Sequence, residues 1–393
     1  MSKRKLVTIE DIADFHSLWR GWINASSGEK ASRHDVQKYG QNVEAKLRDL
    51  QKRLLNGTWR PDKGHSFMLF TEGKWRLIHT VGIEDRIVHY SLVEHFALNK
   101  RFVRRTFGSI KKRGTLKASK QVRKDLRESG YDYVIKLDAH KYYPNINKAK
   151  LIDLVRSRYK GSKAINLFAM VVNSYQPESE LGVSIGALTS QDNGNFYLTP
   201  FDCFVLELLG VRFYTRYVDD MVMLVPDKKT AKEIIPKLIE YAALFGITFG
   251  KIDLFPIASR RIDFCGYAVN KENNKLRKST LMRYRHKLIQ FDRKPPENGE
   301  YERSCICSYL GLLKYCDSNK IQEQFKSEHY EVFKRIDRFA KGERRKENEM
   351  SASTARNGRV SPVLQPPRRT SRRGRNRRGD RCTICRNRAD SDS

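Results

Sequence analysis

Phe213-Tyr214-Thr215-Arg216-Tyr217-Val218-Asp219-Asp220-Met221-Val222-Met223-Leu224-Val225 is the stretch on which the reading of this chain turns. Two short runs of β-favouring residues flank a pair of adjacent carboxylates, which predicts a hairpin with Asp219 and Asp220 at its tip. Most flanking residues are apolar or aromatic, so both strands are expected in a covered sheet. Two anions at the closed end of such a hairpin are unfavourable unless something positive binds there. Asp is also a common turn residue, and an Asp-Asp pair taken alone reads more simply as a solvated turn. A third carboxylate in a similar setting overturns the simpler reading.

That carboxylate is Asp138, at the end of the β run Tyr133-Val134-Ile135-Lys136-Leu137-Asp138. A turn containing Pro144 follows before the next helix. Hard cations prefer oxygen ligands, so Asp138 with Asp219 and Asp220 can hold two Mg²⁺ ions, with Mn²⁺ as a substitute. Two such ions, about 3.5–4 Å apart, stabilise the attacking and leaving oxygens of an in-line phosphoryl displacement.

Composition narrows the partners. Among 393 residues there are 77 Lys+Arg against 45 Asp+Glu, a formal net charge of +32. The length fits two or three domains with a sizeable core, and the charge points to a polyanion. No apolar run approaches the roughly 18–20 residues of a spanning helix, so no membrane partner is expected. The Met1-Ser2-Lys3-Arg4-Lys5 start lacks the apolar region of a signal peptide. Seven scattered cysteines do not form a secreted disulfide framework, and a cytoplasmic location is expected.

Elsewhere the pattern predicts a helix from Asp35 to Leu55, with Val43, Leu47, Leu50 and Leu54 on one stripe and Gly57 ending it. Trp19 and Trp22 are expected to pack. Ser66–Phe70 and Lys74–His79 read as a second hairpin, and Asp85–Phe96 as a helix whose His89 and His95 serve structural hydrogen bonds. Lys111, Lys112 and Arg113 form a basic, Gly-broken loop suited to template phosphates. Residues 280–340 read as basic helices, with Cys305 and Cys307 in their core. From about Lys341 the composition predicts disorder. Arg368, Arg369, Arg372 and Arg373 there belong to a tract suited to RNA phosphates, and Cys382 with Cys385 makes at most half of a zinc site.

The Tyr-Val-Asp-Asp hairpin and the strand-Asp-aromatic-Pro turn together resemble motifs C and A of the reverse transcriptase palm. A third element, Ile185-Gly186-x-x-x-Ser190-Gln191, stands where most reverse transcriptases have Gln-Gly-x-x-x-Ser-Pro. That form resembles the reverse transcriptases of diversity-generating retroelements, and the resemblance runs from about residue 60 to about 290. Arg261–Tyr267 stands where the family has a Phe-Leu-Gly-Tyr primer grip. Cys265 in place of Leu is one departure, and Leu116 in place of a frequent His is another.

The resemblance implies an α+β right-hand polymerase fold. Its parts are an N-terminal and fingers region at 1–130, a palm at 131–270, a helical thumb at 271–340 and a disordered Arg-rich tail at 341–393. It implies an RNA-directed DNA polymerase, bacterial or phage-encoded, that takes template RNA, primer, cDNA and dNTPs. A basic accessory variability protein is the implied partner, and errors at template adenines the implied outcome. Arg76 is placed on the incoming triphosphate, although a plain surface strand residue is the simpler alternative. Tyr143 becomes the aromatic gate against a ribose 2′-OH, and Ile185, Gly186 and Gln191 lie near the nascent pair. Lys251 becomes a proton donor to pyrophosphate or, more plainly, a solvated turn lysine. The rival readings are a retron- or group II-intron-like polymerase, and a non-catalytic RNA-binding protein on a polymerase scaffold.

Overall fold

The structure, a computed structural model, describes residues 3–71 and 73–339. The arginine tract of the tail and the Cys382/Cys385 pair lie outside these residues. The chain divides into two units, one of described residues up to Arg260 and one from Arg261 onward.

After a two-residue strand at Lys5–Leu6 and a short helix at Ile9–Ile12, the first unit continues with helix α1, Phe15–Ser26, whose N-cap Asp14 accepts a hydrogen bond from the Ser17 amide. Helix α2, Val43–Leu55, is separated from a shorter helix at His34–Gly40, so the single helix expected from Asp35 is broken. Asn42 leaves the helical region there, with φ −141° and ψ 48°, and stands at the N-cap position of α2 with no side-chain cap hydrogen bond. Trp22 stacks on Tyr39 at 5.5 Å, the packing role expected of it. Strands β1, His65–Thr71, and β2, Lys74–Thr80, pair as the expected hairpin. Helix α3, Ile83–Phe96, follows. His95 meets the Ser17 hydroxyl at 3.0 Å. His89 is buried with no partner at Nδ1, and burial lowers its pKa to about 4.

Helix α4, Thr115–Glu128, leads into β3, Tyr133–Ala139. A short helix at Tyr142–Asn145 comes next, and then α5, Lys148–Arg158; α6, Ser162–Asn173; α7, Leu188–Tyr197; and α8, Thr199–Cys203, which runs into a π-helical turn at Phe204–Leu208. The unit ends with β4, Phe213–Tyr217, β5, Asp220–Val225, helix α9, Lys228–Ala243, and β6, Phe249–Pro256. The four strands form an antiparallel sheet in the order β4-β5-β3-β6.

Alternation along the strands sorts this sheet into two faces. On one, Ile135, Leu137, Tyr214, Met221 and Met223 join Ala231, Ile234, Leu238 and Ala242 of α9 in the main core. On the other, the register lines up Asp138, Lys136 and Val134 with Asp220, Val222 and Leu224, and these with Tyr217, Thr215 and Phe213. Helix α4 covers the Phe213–Thr215 end of this second face, held by a hydrogen bond from the Thr215 hydroxyl to Asp125. Asp138, at the other end, stays exposed.

In the second unit, β7, Ile262–Phe264, β8, Tyr267–Val269, and β9, Asn274–Leu276, form a small antiparallel sheet. Cys265 and Gly266 make the turn between β7 and β8 with φ of +53° and +84°, so the cysteine that departs from the family pattern is a turn residue. The expected basic helices follow: α10, Lys278–Arg293; α11, Gly299–Leu313; α12, Asn319–Glu328; and a last one at 330–339. Buried Glu302 of α11 is paired with Arg335 at 2.6 Å. The expectation that Cys305 and Cys307 are both core fails: Cys305 is half-buried and Cys307 exposed. Residues two apart on a helix lie about 200° around its axis, and the stripe that faces inward passes through Ile306 instead. No described helix is long and apolar enough to cross a membrane.

Candidate active site

Tyr217 pairs directly with Asp220, which leaves Val218 and Asp219 as a two-residue turn. The tip therefore lies one residue earlier than expected, and Asp220 opens β5. Val218 has φ +56°, a conformation that a β-branched residue rarely adopts without support. Gly108 is part of that support. A Cβ there would lie 2.4 Å from Val218 Cγ2 and 2.7 Å from its nitrogen, so only glycine lets this loop approach so closely. The other support is Arg216, whose Nη1 donates to the Val218 carbonyl at 2.8 Å.

Arg216 has no exposed surface, and neither does its partner Asp202 on α8. Its Nε and Nη2 donate to the two Asp202 oxygens at 2.7 and 2.6 Å, and Nη1 donates to Asn195 Oδ1 on α7 at 3.0 Å. The hydroxyls of Tyr214 and Thr106 also donate to Asp202, at 2.6 and 3.1 Å. Desolvation opposes the charge on Arg216, but Asp202 more than offsets it and the guanidinium stays protonated. Such a pair is tolerated inside a protein only when its lone pairs and protons are satisfied this fully.

Directly opposite Asp220, on β3, stands Asp138. The Ala139 amide donates to the Asp219 carbonyl at 3.3 Å and so ties the turn to the end of β3. Burial, reinforced by the charges of Asp138 and Asp219, pushes the Asp220 carboxyl up to about 7 against the pull of Lys136. Burial, with Asp138 adding to it, also raises Asp219, while Arg76 acts the other way. The Lys136 ammonium lies 3.5 Å from Asp220 Oδ1, a buried oxygen that accepts no hydrogen bond. Crowded carboxylates with an unsatisfied oxygen are the donor set of a hard divalent cation. Among the described residues no three His, Cys, Asp or Glu side chains converge tightly enough to hold an ion unaided. A cation here would complete its shell with water or phosphate oxygens, as Mg²⁺ usually does.

The other expected residues fall at varied distances from this centre. Arg76 is exposed on β2, and its charge reaches Asp219. Tyr143 packs beside Tyr142 at 5.5 Å; burial first and the Asp219 charge second raise its hydroxyl to about 12. The Ile185 carbonyl accepts the His79 amide of β2 at 2.9 Å, with the Ile185 side chain half-buried. Gly186, at φ +122°, sits where a Cβ would be 2.7 Å from the His79 carbonyl. This turn is thereby docked onto the β1–β2 hairpin. Gln191 is exposed on α7. Lys251 stands opposite Asp138 on β6, but its largely exposed ammonium lies 3.5 Å from Asp253. Lys111 and Lys112 are exposed, whereas Arg113 donates to the carbonyls of Thr106 and Arg104 at 3.1 and 3.4 Å and braces its own loop.

Sequence reasoning missed Lys136, Arg216, Asp202 and Gly108. A signal existed for Lys136, since a residue two before Asp138 on a strand shares its face.

A family model described as reverse transcriptase (RNA-dependent DNA polymerase) matches residues 61–268, more than half of the chain. No curated protein matches. Among solved structures, apo telomerase from Candida tropicalis, truncated from its C-terminal domain, is 14% identical with a TM-score of 0.42, covering 55% of this chain and 55% of that one. Telomerase from Candida albicans, in complex with a fragment of telomeric RNA, is 12% identical with a TM-score of 0.44, covering 70% of this chain and 55% of that one. The chain thus spans about half the length of each. The α+β right-hand polymerase fold expected from the sequence stands. The matched segment takes in Arg76, Asp138, the Ile185-Gly186 turn and the Asp219-Asp220 hairpin, and the chain belongs to the reverse transcriptase (RNA-dependent DNA polymerase) family.

Proposed function

We propose that this chain is an RNA-directed DNA polymerase that extends a primer on an RNA template. The observation that carries the reading is Asp138 opposite Asp220 on adjacent strands, with Asp219 in the turn beside them. These three carboxylates would hold Mg²⁺, or Mn²⁺ in its place. Two such ions supply charge stabilisation for the attacking and leaving oxygens. The chain's own residues do the positioning. Lys136 favours the ionised form of Asp220 against the burial that raises its pKa. Arg76 offers an always-charged fork of donors to the triphosphate of a dNTP. Tyr143 presents its ring against a ribose 2′-OH, and Lys251 is within the same strand register for a proton to pyrophosphate. Lys111 and Lys112, with Arg368, Arg369, Arg372 and Arg373 of the tail, contact RNA phosphates.

Asp219→Asn removes one ligand and leaves the basic surface intact. It should abolish primer extension while RNA affinity changes less than about twofold. Extension at the parental rate in Mg²⁺ would overturn the assignment of these carboxylates.

The finer reading is a polymerase of a diversity-generating retroelement, error-prone at template adenines and working with a basic accessory protein. It is supported by motif B, where Ile185 offers no side-chain hydrogen bond and Gln191 replaces a rigid proline. Fewer directional contacts on the nascent pair lower discrimination, and a loss of ~1.4 kcal/mol is about tenfold in error rate. Ile185→Gln should therefore raise fidelity without eliminating synthesis, read by deep sequencing of cDNA from a defined RNA. Equal error spectra for parent and variant would remove this support.

A further inference from the structure

Helix α4 lies on the same face of the sheet as Asp138 and Asp220, and its outer side is cationic. Lys117, Lys120, Lys124 and Arg127 are all exposed, at intervals of three and four residues that keep them on one stripe. The stripe runs about 15 Å at the helical rise per residue. Its inner side is fixed: buried Asp125 accepts from Arg105 at 2.8 Å, from Gln121 at 2.9 Å and from Thr215 at 3.3 Å. The direction of the helix is fixed as well. The loop that feeds it touches Val218 through Gly108, at the carboxylate end of the sheet. Its other end leads to Tyr133, which pairs with Val225 at the far end. Lys111 and Lys112, both exposed, stand at the entrance. Lys124 lies 3.7 Å from Glu128 on the same helix, and both side chains remain exposed.

We propose that the outer face of α4 is a track for the phosphate backbone of the nucleic acid that passes the carboxylates, an assignment that rests on the polymerase reading. A row of cations leading away from the reacting end matches a polyanion in charge and in direction. It reads no sequence, because phosphate contacts position rather than specify.

The test compares two neutralised forms of the full chain. One is K117Q/K120Q/K124Q/R127Q; the other is K228Q/K229Q/K232Q/K237Q on α9, whose exposed lysines lie over the opposite face of the sheet. Affinity is measured against salt for a single-stranded RNA and for the same RNA annealed to a DNA primer. Each lost single-strand phosphate contact should lower the log–log slope by about 0.7. The α4 form is expected to lose about 2–3 from the slope while the α9 form keeps the parental value. The probe that shows the loss identifies the strand on the track. An unchanged slope for the α4 form, or equal losses in both forms, overturns the track. If the parent extends the primer in the same preparation, the polymerase reading survives that failure; if the parent does not extend, that reading is what falls.

Discussion

Two of the antiparallel hairpins, β4–β5 and β1–β2, are built on opposite principles. The β4–β5 hairpin is buried on both faces along nearly its whole length, and its turn is clamped by Gly108 and Arg216. The β1–β2 hairpin exposes Phe67, Met68, Leu69, Phe70 and Trp75, and pairs with nothing but itself in its sheet. Its base is tied to the Ile185 carbonyl by one backbone hydrogen bond. Residues before it are anchored where Asp85 of α3 accepts the Asp62 amide at 3.0 Å. The same local pattern thus yields a rigid element where packing and a buried ion pair surround it, and an open one where neither does. The proposed role of Asp219 and Asp220 calls for the first kind, because small displacements of a reacting geometry are costly.

Breaking the clamp should have the largest effect. Arg216→Met leaves Asp202 buried without its counter-charge, and removal of one partner from such a pair costs about 3–5 kcal/mol. The expected outcome is a large fall in the urea midpoint together with loss of extension. Arg216→Met combined with Asp202→Leu should recover much of the stability, since an apolar replacement of a buried pair is often neutral. Extension should nevertheless stay low, because the Val218 carbonyl has lost its donor. Recovery of both properties in the double variant would show that the pair serves the fold alone.

The open hairpin offers a smaller, pH-dependent test at its anchor. Burial pushes the Asp85 carboxyl up to about 7, above its unfolded value near 3.9. Between these values the folded chain holds a proton that the unfolded chain has released. Its contribution is therefore fully present below about pH 4 and is lost as pH rises through 7. The ceiling is about 4 kcal/mol at about 1.4 per pKa unit; the N-terminal dipole of α3, which favours the carboxylate in this first turn, brings it nearer 2. Asp85→Asn should gain stability relative to the parent at pH 8 and little at pH 5, as read by thermal melts. A gap between the two proteins that does not change from pH 5 to pH 8 would show that Asp85 is ionised in the fold.

What was legible in the sequence is what depends on neighbours along the chain. Strand alternation placed Asp138 at a strand end and both aspartates of the Asp219-Asp220 pair at a hairpin, and the β1–β2 hairpin followed from its turn residues. Helix stripes were legible for the same reason, as at Leu47, Leu50 and Leu54, all buried. What depends on contacts between distant segments was not. Asp202 reads as an ordinary residue of an apolar helix, and nothing near it announces that Arg216 will be buried against it. Gly108 looks like any loop glycine until Val218 is set beside it. The break at Asn42 is a local event, but it competes with an apolar stripe that continues through it.

The pairing of Asp138 with Asp220 also bears on how this gene can change. Side chains alternate along β5, so the neighbours of Asp220 on the carboxylate face are Val222 and Leu224, while Met221 points into the main core. Loss or gain of one codon between Tyr217 and Met221 would slip this register by one. It would send a carboxylate into the apolar layer and an apolar side chain into the place opposite Asp138. Point substitutions at Val218 or Tyr217 leave that alternation untouched. Substitutions in the hairpin therefore preserve its register, whereas a change in its length breaks it.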